Sequence, residues 1–181
     1  MSSVLKVSSI QDPTNSNTAL SIDSSGRVTM ANTVEIDMWM LTASHTTNAD
    51  ISSGWSRPPY ATAGYAGTGM TESSGIFTFP STGLWKVTGT FFIVAVSGDT
   101  SAGIIIQVST NSGTNFTTTG GCFASESINN SSSFQTLVNV TNASTTQFKL
   151  VSSGLNSGSN ITGDASRDYS SLIFERITDA Q

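Results

Sequence analysis

Nucleophilic chemistry in this chain would have to use its one histidine, His45, which stands in LTASHTTNAD with Ser44 and Asp50 close by in sequence. A serine-histidine-aspartate relay needs the imidazole within hydrogen-bond reach of the hydroxyl and oriented by the acid, and sequence neighbours rarely meet that geometry. With no G-x-S-x-G elbow to present the serine, His45 reads as a surface or loop histidine. Cys122, in GGCFAS, has no basic neighbour to lower its pKa and reads as a small core residue. One Cys and one His also exclude an internal disulfide and any zinc site built from those residues within one chain.

Carboxylate catalysis on a sugar needs two acids placed across the glycosidic bond. Here Glu72, Asp99, Glu126, Asp164 and Asp168 are scattered in or beside expected loops, and no spacing pairs them. GYAGTG, residues 64–69, has the glycines of a phosphate-cradling loop but neither the lysine nor the helix that would follow, so it reads as a tight loop. No catalytic residue, cofactor or metal site is expected.

The loop SGWSRPPYATAGYAG, residues 53–67, differs in kind. Its Trp55, Arg57, Tyr60 and Tyr65 are side-chain types that anchor sugar platforms and binding surfaces, because they bury large area at small entropic cost. They are the candidates for a ligand loop. The same burial argument lets the loop cap the end of a sandwich or pack on a neighbouring subunit, and packing is the preferred reading.

The elements that must hold these residues belong to a chain of 181 residues, enough for one domain with a real core, or one domain and an arm. Charged residues are only 10% of it, against about 25% in an average soluble protein, while Ser and Thr supply roughly a third. A net charge of −5 leaves no basic footprint for nucleic acid or an anionic membrane, so neither is expected as a partner. FFIVAV, residues 91–96, is the longest mainly apolar stretch and falls far below the roughly 20 residues of a membrane span. The N-terminal MSSVLKVSSI lacks the apolar run of a secretory signal, so export by that route is not expected, and a soluble protein is.

Residues 1–34 contain no aromatic residue; LKVSSI, TALSID and GRVTMA alternate over a few positions and read as short extended pieces joined by turns. This segment is expected to be an extended N-terminal arm. From residue 35 to 181 the pattern is strands separated by Gly, Ser and Asn clusters. In LWKVTGTFFIVAV, Trp85, Val87, Gly89, Phe91, Ile93 and Ala95 share one face. The other face turns apolar at Phe92, Val94 and Val96, which predicts cover by a partner sheet or another subunit. Further strands are expected at 74–80, 102–110, 134–141, 146–153 and 169–178, with turns at Pro80/Gly83, Asn111/Gly113, Gly120/Gly121 and Asn156/Gly158. The chain lacks helical periodicity and is poor in helix formers, so the fold class is all-β, an antiparallel sandwich or jelly roll.

The segment GTGMTESSGIFTFPSTGLWKVTGTFFI, residues 67–93, resembles a strand-turn-strand unit of jelly-roll domains in the tumour-necrosis-factor and complement-head superfamily, as they occur in virion proteins of tailed phages. Phe77, Phe79, Pro80, Gly83 and Trp85 match an F-x-F-P-x-x-G-x-[YW] pattern that pairs two core strands there. SSLIFERIT, residues 170–178, looks like the closing strand of such domains, and residues 134–154 resemble the paired strands before it. VLKVSSIQDPTNSNTALSIDSSGRVTM, residues 4–30, looks like the N-terminal segments of many phage structural proteins, especially those of phages infecting cyanobacteria and other marine bacteria.

The resemblance implies a threefold homotrimer with Phe92, Val94 and Val96 as the candidate subunit or sheet contact. It also implies a non-enzymatic protein on the outer surface of a virion. One expectation is a capsid decoration, or cement, protein whose arm adds main-chain bonds and the anchors Val4, Leu5, Val7 and Ile10 to the major capsid protein or another shell protein. The alternative is a short tail fibre or receptor-binding tip that recognises a host surface glycan through Trp55, Arg57, Tyr60 and Tyr65.

Overall fold

Alternation of apolar residues at every second position becomes strands throughout, and the computed structural model contains no helix among the described residues. The structure describes residues 7–11, 18–22, 24–26, 28–30, 34–60, 64–125 and 127–181. Two compact units divide the chain, Met1–Val34 and Glu35–Gln181.

In the first unit β1 (Ser9–Gln11), β2 (Thr18–Ile22) and β3 (Val28–Met30) form an antiparallel meander. The expected extended pieces therefore pair with one another, Ser9 opposite Ser21 and Ile22 opposite Val28, and the arm is folded back on itself. Of the candidate anchors, Val7 and Ile10 are exposed, and Val4 and Leu5 lie outside the described residues.

The second unit comprises β4 (Ile36–Leu41), β5 (Ala43–His45), β6 (Trp55–Ser56), β7 (Thr71–Ser73), β8 (Ile76–Thr78), β9 (Gly83–Ala95), β10 (Ala102–Ser109), β11 (Thr117–Ala124), β12 (Ser127–Val140), β13 (Gln147–Ser153), β14 (Asn160–Asp164) and β15 (Ser171–Thr178). One sheet has the order β11-β10-β13-β8-β7. The other runs β12-β9-β15-β4-β6, with β14 and β5 continuing it beside the far end of β9. All neighbours are antiparallel, and the chain crosses between sheets after β6, β8, β9, β11, β12 and β13, which makes the sandwich a jelly roll.

These crossings correct two readings of the sequence. β8 and β9 do not pair: residues 80–82 carry the chain from one sheet to the other, so Phe77, Phe79 and Trp85 meet across the core. Likewise β12 and β13 belong to opposite sheets. A third correction concerns Gly120 and Gly121, which lie inside β11 opposite Ile106 and Ile105. Pairing with an isoleucine-rich strand overrides local turn chemistry there.

The core is aromatic. Phe77 packs edge-on to Trp39 and Trp55 at 5.4 and 5.5 Å, and lies 5.2 Å from Phe174. As the alternation requires, Trp85, Val87, Phe91, Ile93 and Ala95 of β9 are all buried. Gly89, on the same face, makes room for Phe91 to stack on Phe134 at 5.9 Å. A methyl at this position would sit 2.3 Å from the Phe134 ring. Gly89→Ala is expected to destabilise the fold by about 1–3 kcal/mol through overpacking, seen as a lower urea midpoint; an unchanged midpoint would contradict this packing.

Candidate assembly surface

The loop singled out in the sequence is anchored by a carboxylate. Asp37 of β4 shares the core-facing side of the strand with Trp39 and Leu41 and is 1% exposed. Burying a charge is costly unless it is paired and hydrogen-bonded. Arg57 supplies the pair, its Nε donating to Oδ1 at 2.9 Å and its Nη2 to Oδ2 at 2.8 Å. Trp39 Nε1 and the Met70 amide also donate to Oδ2, at 2.9 and 2.7 Å. Its bonds to Asp37 raise the Arg57 pKa above its ordinary value, with burial opposing. The guanidinium lies between the rings of Trp39 and Tyr65, 4.6 and 4.5 Å from their centroids. Gly69, at φ +75°, leaves space for this group, since a methyl there would meet Arg57 Nη2 at 2.8 Å.

Trp55 is a core residue, with its Nε1 donating to the Ile51 carbonyl at 2.9 Å. Two of the four ligand-loop candidates, Trp55 and Arg57, are thus committed to packing, while Tyr60 and Tyr65 remain 37% and 54% exposed. The conflict was legible in part, because an Asp next to core residues on an alternating strand calls for a cation.

The polar groups considered for catalysis are engaged elsewhere. His45 Nε2 lies 3.4 Å from Thr47 Oγ1, Ser44 Oγ donates to the Gly163 carbonyl at 3.5 Å, and Asp50 pairs with Lys149 at 2.7 Å. The relay residues are not brought together. Glu72 accepts from the Gly75 amide, Asp99 is buried against Ser159 and the Asn156 amide, and Asp164 accepts from Ser166. Glu126 lies outside the described residues.

Phe92 and Val94 on the outer face of β9, and Val96 just beyond its end, are half-buried, and their own chain supplies much of the cover. Phe92 packs on Tyr169 at 5.6 Å, β14 pairs with Ile93 and Val94, and Ser159 Oγ accepts from the Val96 amide. The open apolar surface lies towards the other end of that face. There the register aligns Ile36, Glu175, Lys86 and Leu137 across β4, β15, β9 and β12. Lys86 Nζ approaches Glu175 at 3.4 Å, while Leu137, Ile177 and Ile36 are 60%, 52% and 36% exposed. Strand alternation alone could have flagged Leu137, which falls on the wrong side of FQTLVNV to join the core.

No protein-family model matches the sequence, and no curated protein matches it. Solved structures do match. Eiger TNF from S. frugiperda superposes with a TM-score of 0.60 at 13% identity, over 82% of this chain and 95% of that one. Murine APRIL, crystallised at pH 8.5, gives 0.59 at 10% identity over 80% and 99%. The same protein at pH 5.0 gives 0.60 at 11% over the same shares. At these identities the likeness shows the fold alone, a TNF-like jelly roll.

Arg57→Ala would leave the buried Asp37 without its cation, and with the Arg57 side chain 35% exposed the expected cost is about 1–3 kcal/mol in chemical unfolding, with Arg57→Lys costing less because it keeps the charge. A loss under about 1 kcal/mol would contradict the buried pair. Cys122 is 6% exposed, and burial pushes its thiol pKa up against weaker opposing bonds from Ser132 and Ile104. Above the ordinary thiol range the unfolded chain loses this proton first, so stability falls as pH rises. Cys122→Ala should lose less stability than the native chain between neutral pH and pH about 10; equal losses in urea titrations would contradict the shift.

Proposed function

We propose that this chain is a non-enzymatic structural protein of a phage virion, a homotrimeric jelly roll that decorates the capsid and attaches through residues 1–34. The resemblance of residues 67–93 to virion jelly rolls supports the setting. The observation that carries the reading is the outer face of the β12-β9-β15-β4 sheet, where Leu137, Ile177 and Ile36 stand exposed around Lys86 and Glu175. A permanent subunit contact buries apolar surface that a monomer would leave wet. In a threefold ring such a contact is heterologous, so this face meets a different surface of the next subunit and the ring closes after three steps.

Attachment falls to the N-terminal unit. Its Val7 and Ile10 stand exposed there, apolar side chains of the kind that anchor a segment on a partner protein. A tail-fibre tip that binds a host glycan is the second reading, and it rests on the exposed Tyr60 and Tyr65 only.

Leu137→Asp combined with Ile177→Asp is expected to convert trimers to monomers in light scattering while the β-sheet circular dichroism persists. Trimers that survive would remove this face from the contact, and a monomeric native chain would overturn the trimeric reading. In averaged images of intact particles, a decoration protein occupies hundreds of capsid positions, roughly, against tens at most for a fibre. Density confined to the tail would replace the first reading by the second.

A further inference from the structure

We infer that the apolar face of the N-terminal meander is covered by the same face of the other copies in the trimer, an inference that rests on the trimeric reading above. The strand register defines the face. Ile10 stands opposite Leu20, Leu20 opposite Met30, and Ile22 opposite Val28. By strand alternation Ile10, Ile22 and Val28 fall in one row of the register. Val7, Ile10, Ile22 and Val28, together with Ser9, line a shallow depression of 70 Å³. These four aliphatic residues are 40%, 50%, 39% and 60% exposed. A sheet that is hydrophobic on one face needs a second layer to bury it.

Size, charge and connection select the occupant. Strands of three to five residues at about 3.3 Å per residue, three abreast at about 4.8 Å, present roughly 200 Å². That is near a quarter of the ~800 Å² per partner that a standard interface buries. A separate protein held by this face alone would have too little surface. Copies tethered to an assembled jelly roll meet at millimolar effective concentration, about a thousandfold above micromolar solutions, and need no such area.

Lys6 and Arg27 balance Asp12 and Asp23 in residues 1–34, so the whole net charge of −5 belongs to residues 35–181. Like meanders therefore do not repel, and a charged partner would gain nothing from this face. In sequence, residues 31–35 join β3 to β4. The face is then closed by copies.

Cysteine cross-linking of the full chain in a Cys122→Ala background tests this. Val28→Cys is expected to oxidise to covalent dimers in most of the protein on a non-reducing gel. Thr29→Cys, at a position on the opposite face, should leave single chains. In parallel, amide exchange over residues 18–22 and 28–30 should speed up about tenfold or more in Val28→Lys, with the trimer mass retained. A trimer whose Val28→Cys form does not cross-link and whose exchange ignores Val28→Lys overturns the inference and leaves the trimeric reading standing. A monomeric full chain overturns both. Protection that arises only when capsid protein is added overturns it in favour of a foreign partner.

Discussion

The ring cluster around Phe77 is the contact on which the rest of the molecule depends. Phe77 and Phe148 come from one sheet, Trp39 and Phe174 from the other, and Trp55 from the short strand beside Trp39. Edge-to-face packing of this kind adds to simple burial and fixes orientation as well as distance. Closing the sandwich here brings Trp39 against Asp37, and the carboxylate must then find a counter-charge in a dry place. Trp55, seated in the same cluster, delivers Arg57 two residues later. The loop after β6 is thus positioned by the core and locked by one ion pair.

Elsewhere the chain holds its loops with few charges. Asn48 bonds both ways to the Leu155 backbone, Ser109 and Asn111 tie the turn after β10, Asn142 caps the turn before β13, and Asp99 gathers Ser159 and the Asn156 amide. Short polar side chains that satisfy nearby backbone groups do here what ion pairs and helix caps do in more charged proteins. This explains how a composition with 10% charged residues supports many crossings between sheets. It also leaves exposed aliphatic side chains on the outer surfaces, beside single ion pairs such as Lys86 and Glu175.

Two such rows stand out, one across the β4-to-β12 sheet and one on the meander. They differ in origin. The first lies on the back of strands whose inner face is already full, so its aliphatics are surplus to the monomer's core. The second belongs to a unit that has no inner layer at all among the described residues. Assembly would satisfy both by the same rule, that apolar area removed from water favours the closed state.

Alternation in the sequence determined that the protein is all-β, that Trp85, Val87, Phe91 and Ile93 face a core, and that residues 1–34 differ from the rest, because strand period and aromatic content are local properties. The resemblance of residues 67–93 led to the jelly roll that the solved TNF-like structures show. Which strands pair is not local. The β8-to-β9 segment looks like a hairpin and is a crossing, and Gly120-Gly121 looks like a turn and is strand, since partners more distant in sequence decide both. Packing is already the preferred reading of the loop that carries Trp55 and Arg57, but only the tertiary structure shows what they pack against, Trp55 in the core and Arg57 on the buried Asp37. The outer row of Ile36, Lys86, Leu137 and Glu175 is likewise assembled by register from four strands, a juxtaposition that folding alone creates.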